Sequence, residues 1–124
     1  MKVLVVDGFD SSAAGRTRFN NFLTVVQNAF SQTVHSEAST ASGPTSYDIV
    51  PLAKLSKYAY AYERNEFTDP ASIPLFDRLD CIVLDLDSRL HPWGDKTRTL
   101  LLLVKTAFFT NKPLFAAGSG IQFV

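Results

Sequence analysis

The sequence predicts an α/β fold built on a mostly parallel sheet, and three observations carry that expectation. Lys2-Val-Leu-Val-Val-Asp7 and Cys81-Ile-Val-Leu-Asp85 are short, continuously apolar runs rich in β-branched residues and closed by acids, the pattern of strands covered on both faces. Two segments with helical periodicity follow them. After the second, Pro113 to Ala117 forms another apolar run. Strand, helix, strand, helix, strand in that order is the signature of parallel pairing through crossover connections. The 124 residues are the length of one domain, expected to span residues 1–124, and are enough to bury a core without disulfides or metal.

The first strand ends at Asp7-Gly8. Asp10, Ser11 and Ser12 are good helix N-caps, and Phe19, Phe22, Leu23, Val26 and Phe30 then recur on one helical face. Thr33 to Ser46 is mostly Ser, Thr, Ala, Gly and Pro and reads as a surface loop with a short strand near Thr33 to Ser36. Tyr47 to Leu52 reads as a short strand in which Pro51 favours the end or an edge position. Leu55 to Phe67 places Tyr58, Tyr60 and Tyr62 beside Lys57, Glu63, Arg64 and Glu66, which fits either a strand or an amphipathic surface segment. The interleaved acids weigh against base stacking and favour a packing face. Lys96 to Asn111 reads as a helix with Leu100, Leu103, Val104, Ala107 and Phe108 on one broad face.

Twelve basic and twelve acidic residues cancel, so no global field draws the chain to nucleic acid or anionic lipid. Partners must be selected by local surface. The apolar runs at Val3 to Val6 and Leu100 to Val104 are too short for a signal-peptide core or a membrane span, so no membrane insertion is expected. A single cysteine, Cys81, lies inside an apolar run and reads as a buried thiol in a reducing, cytoplasmic compartment.

Parallel sheets place sites at the carboxyl ends of their strands, so Asp7, Asp10, Asp85 and Asp87 are expected to converge on one edge. Clustered carboxylates suit Mg²⁺, but acids that close strands are also common as caps and loop solvators. No metal and no cofactor is expected. The stretches MKVLVVDGFD and CIVLDLD resemble the acidic turn and phospho-accepting strand of response-regulator receivers, with Asp85 in the accepting position. Gly8 and Phe9 stand where such a domain has a second acid.

The terminal stretch KPLFAAGSGIQFV is the most specific. A sharp strand-to-helix turn carrying a nucleophile needs small residues two positions before and two after the tip. Centred on Ser119, the flanks are Ala117 and a β-branched Ile121, a poor fit; centred on residue 118, they are Ala116 and Gly120, a good one. The tip is then Gly118, which turns without strain and has no side chain to attack with. Ala116, Gly118, Ser119 and Gly120 thus read as a degenerate nucleophile elbow, and no catalytic residue is expected.

In this register the stretch resembles the strand, elbow and helix of class I glutamine amidotransferase-like domains. Lys112, Pro113, Gly120 and Gln122 match that pattern, Ala116 replaces its first glycine, and Gly118 stands at the catalytic cysteine position. The resemblance implies a flavodoxin-like, three-layer α-β-α sandwich, incomplete at its C-terminus because the family fold continues past the elbow. It also implies an inactive domain, since residues 86–93 contain no glycine to lend an oxyanion-hole N–H and the chain stops before the family's C-terminal His and acid. His35 and His91 read as solvated loop residues. The expected role is a structural or protein-interaction module in a larger assembly. Similar nucleophile-less domains occur in intraflagellar transport proteins, which makes a cilium or flagellum one specific setting that no residue selects over others. A serine hydrolase using Ser119 and a receiver-like switch using Asp85 are the alternatives.

Overall fold

The computed structural model describes residues 1–36, 45–58, 76–90, 94, 97–118 and 120, without the side chains of 32–36, 56 and 57. Among the described residues, four strands form one sheet: β1 (Lys2–Gly8), β2 (Ser46–Pro51), β3 (Cys81–Leu86) and β4 (Leu114–Ala116). Their order is β2-β1-β3-β4 and every pairing is parallel. Helix α1 (Ala13–Ser36) follows β1, a 3-10 helix (Leu52–Lys57) follows β2, and helix α2 (Arg98–Phe109) links β3 to β4.

The expectation of buried parallel strands holds in detail. Val3, Leu4, Val5 and Val6 have no exposed surface, because β1 is central and both its faces are covered. Side chains alternate across a strand, so the four split between two cores. Val3 and Val5 join Cys81, Val83, Phe19 and Val26 on the α1 face. Leu4 and Val6 join Ile82, Leu84, Leu55, Tyr58, Leu100 and Leu103 on the α2 face. Burial pushes the Cys81 thiol up to about 11, with Asp80 adding to the shift, so the thiol stays protonated.

Ser12 caps α1: its Oγ accepts the Gly15 N–H at 3.0 Å. The predicted stripe faces the sheet, with Phe19 and Val26 buried and Phe22, Leu23 and Phe30 packed beside them. At the far end the helix departs from the expected loop and short strand at Thr33 to Ser36, continuing to Ser36. Between Phe30 and Ser36 no glycine or proline stops it, and extending a formed helix costs little per residue. Phe30 also anchors this end edge-on against Tyr47 of β2, centroids 6.3 Å apart.

Pro51 ends β2, which is an edge strand among the described residues, so both placements open to that proline are realised together. The segment from Leu55 begins in the 3-10 helix rather than a strand, and Leu55 and Tyr58 enter the core; Tyr60, Tyr62, Glu63, Arg64 and Glu66 lie outside the described residues. In α2, Leu100, Leu103, Thr106 and Ala107 are buried. Phe108 is not: it is 77 % exposed and meets Phe109 edge-on, because the stripe that reaches the sheet is narrower than the apolar face of the sequence. Among the described residues, no helix is long and apolar enough to cross a membrane.

Candidate functional site

The carboxyl ends of β1 and β3 bring the predicted acids close, and Asp7 sits opposite Asp85 in register. Alternation puts both on the α1 face. Asp7, 6 % exposed, is held by Arg16, whose Nη1 donates to Oδ2 at 2.7 Å and Nη2 to Oδ1 at 2.9 Å. The same guanidinium donates to the carbonyls of Phe9 and Asp10, so one side chain stitches the turn after β1.

Arg89 does the corresponding work at β3. It donates to Asp87 through Nε and Nη2, at 3.1 and 2.7 Å, and to Asp10 Oδ2 at 2.7 Å. Hydrogen bonds from Arg89 hold Asp87 down at about 2. Hydrogen bonds from Ser12, then Arg89, hold Asp10 below the usual carboxylate range. Nothing in the spacing marks Arg16 as a partner of Asp7; for Arg89 the Asp-x-Arg run at 87–89 is a local signal of the pairing. Asp7, Asp10, Asp87 and Arg89 line a cleft of about 790 Å³ that reaches Pro51 and Thr97. Among the described residues, no group of three or more acids, histidines or cysteines is placed to hold a metal ion. A Mg²⁺ shared by Asp7 and Asp85, as receiver-like chemistry would use, would compete for Asp7 with Arg16, which bonds both of its oxygens.

Asp85 differs from the other three acids. Its Oδ1 accepts the Leu86 N–H at 2.8 Å, and no cation pairs with it among the described residues. Burial pushes its pKa up. These opposite shifts predict opposite pH behaviour. Asp87, depressed on folding, adds stability above its ordinary value of 3.8 that is lost as pH falls towards 2. Asp85, raised on folding, adds stability only below 3.8 and opposes folding once ionised. In urea unfolding at pH 7, Asp87→Asn should therefore lower stability by about 1 kcal/mol, a figure discounted for the exposure of Arg89. Asp85→Asn should raise it, and both differences should shrink by pH 2. A loss at pH 7 in Asp85→Asn would make Asp85 a structural acid like its neighbours.

The turn after β4 closes over Asp85. Ala117 N–H donates to the Leu84 carbonyl at 3.0 Å, and Gly120 N–H returns to the Ala117 carbonyl at 2.9 Å. Gly118, next in the turn, has φ +52°, which L side chains adopt at a cost. A Cβ at 118 would lie 2.7 Å from Asp85 Oδ1, and one at 120 would meet Leu84 Cδ1 at 2.5 Å and the Leu84 carbonyl oxygen at 2.9 Å. Ala116, half-buried, packs against the α2-face core. The crowding that requires small residues at 118 and 120 thus comes from β3 below. Ser119 and His91 lie outside the described residues, as does the side chain of His35.

Two recesses adjoin this turn. Asp85, Ser88 and Gly118 line one of about 460 Å³ with Arg18, Asn21 and Phe22 of α1. The other, about 480 Å³, is apolar and lies between α1 and β4, lined by Phe22, Val25, Val26, Phe30, Val83 and Phe115. Compared with known proteins, the chain matches no family model, no curated protein and no solved structure.

Proposed function

We propose that the chain is a catalytically inactive domain of the class I glutamine amidotransferase-like type, a three-layer α-β-α sandwich that serves as a structural or protein-interaction module of a larger assembly. The observation that carries this reading is Gly118: it occupies the tip of a tight turn at the carboxyl end of β4 with φ +52°, the place of a nucleophile, and has no side chain. The strand order β2-β1-β3-β4 supports the flavodoxin-like arrangement, and the two cores on opposite sheet faces support three layers. Arginine pairing of Asp7, Asp10 and Asp87 leaves those acids as braces between loops rather than as free acids or bases. The setting that fits is cytoplasmic, with a ciliary or flagellar assembly as its particular form.

The purified protein should turn over neither glutamine nor p-nitrophenyl acetate faster than its Ser119→Ala variant, and a fluorophosphonate probe should not label it. Turnover or labelling that disappears in Ser119→Ala would replace the inactive domain by a serine hydrolase.

A further inference from the structure

The recess of about 460 Å³ beside the Gly118 turn carries both signs of charge on separate walls. Arg18 belongs to α1 and Asp85 to β3, and no ion pair joins them among the described residues. We infer that this recess binds a small zwitterion with an apolar body, its carboxylate on Arg18 and Asn21, its ammonium on Asp85 and Ser88, and its body against Phe22 and Val25. A small-molecule site goes beyond the inactive-domain reading, which assigns the chain no ligand.

The polar groups of this recess are unspent. Elsewhere on the same sheet edge each acid has its cation: Asp7 pairs with Arg16, and Asp10 and Asp87 pair with Arg89. Asp85 accepts the Leu86 N–H alone, and the side chains of Arg18, Asn21 and Ser88 make no hydrogen bond with the described residues. Arg18 nevertheless lies near enough to the strand ends for its charge to help hold Asp87 down. A half-buried carboxylate without a cation and a guanidinium without an anion, lining one cavity, favour a ligand that brings one charge of each sign. A lone cation would satisfy Asp85 and be repelled by Arg18; a lone anion would meet the reverse.

The order of residues along α1 sets the orientation. Arg18, Asn21, Phe22 and Val25 fall at i, i+3, i+4 and i+7, one face of the helix, polar first and apolar after. Phe22, Val25 and Ala117 also line the adjoining apolar recess, so the body of the ligand has room to extend between α1 and β4. The volume is within the range of small-molecule sites. A Cβ at 118 would meet Asp85 Oδ1 at 2.7 Å, so the glycine leaves that carboxylate undisturbed at the wall of the recess.

The test titrates phenylalanine into the isotopically labelled chain and follows it by NMR, alongside 3-phenylpropionate, which lacks the ammonium, and phenethylamine, which lacks the carboxylate. Phenylalanine should shift Arg18–Val25, Asp85–Ser88 and Ala117–Gly118, and bind about tenfold more tightly than either analogue. Asp85→Asn should weaken phenylalanine about tenfold and 3-phenylpropionate not at all. Arg18→Gln should weaken phenylalanine about tenfold and phenethylamine not at all, so the two direct pairs are read separately. Because Asp85→Asn is expected to raise stability, its loss of affinity cannot come from unfolding. Absence of shifts at about 10 mM phenylalanine, equal affinity for the three compounds, unchanged affinity in either variant, or shifts elsewhere would each overturn the assignment. Hydrolytic turnover, which would defeat the inactive-domain reading, is a separate readout.

Discussion

Gly118→Val is expected to destabilise the protein by about 3 kcal/mol, measured as the loss in urea unfolding free energy. About half of this comes from forcing a β-branched residue to a left-handed φ of +52°. The rest comes from the new Cβ, which meets Asp85 Oδ1 at 2.7 Å and must push that carboxylate aside. The two contributions separate in a double-mutant cycle. In an Asp85→Ala background the contact is gone while the backbone cost remains, so Gly118→Val should cost only about half as much. Equal costs in both backgrounds would show that Asp85 does not crowd the turn. An unaltered stability in Gly118→Val would show that the turn does not need a glycine.

The second large effect lies on the opposite face of the sheet. Tyr58→Ala should cost about 4 kcal/mol, the range for emptying an aromatic site that cannot collapse. Tyr58 is 1 % exposed and packs in the α2-face core with Leu55 and Phe76. Its hydroxyl donates to Asp48 on β2, and burial together with that carboxylate drives the phenol upward, so it remains a donor at any physiological pH. Tyr58→Phe keeps the packing and removes only the donor, and should cost about 1 kcal/mol. Chemical denaturation of the two variants checks both figures; a Tyr58→Ala protein within about 1 kcal/mol of the parent would mean the ring is not part of the core.

The strands were legible because their signal is local. Four consecutive apolar residues closed by an acid at Val3 to Asp7, and again at Cys81 to Asp85, leave little choice but a buried strand. Small residues around 118 likewise marked a tight turn. The reach of α1 beyond Phe30 was not legible, because Ser and Thr runs suit loop and helix alike until packing such as Phe30 on Tyr47 decides. Tyr58 was ambiguous for a related reason: a 3-10 segment of six residues is too short to show a period. At the candidate site the acids were visible and their partners were not. Arg89 reaches Asp10 across 79 residues, and Asp85 lies under Gly118 only once β3 and β4 are paired. Pairing across such distances leaves no mark in spacing.

The central position of β1 bears on how the chain is made. Val3 to Val6 are synthesised well before their partners on one side, Cys81 to Leu84, which lie far downstream. Until then β1 has Ser46–Pro51 on one side and lacks β3 on the other, leaving an apolar edge of the kind that chaperones hold and that neighbouring nascent chains can capture. Assembly of the sheet therefore waits on the synthesis of β3, and any cut before β3 leaves β1 without one of its two neighbouring strands.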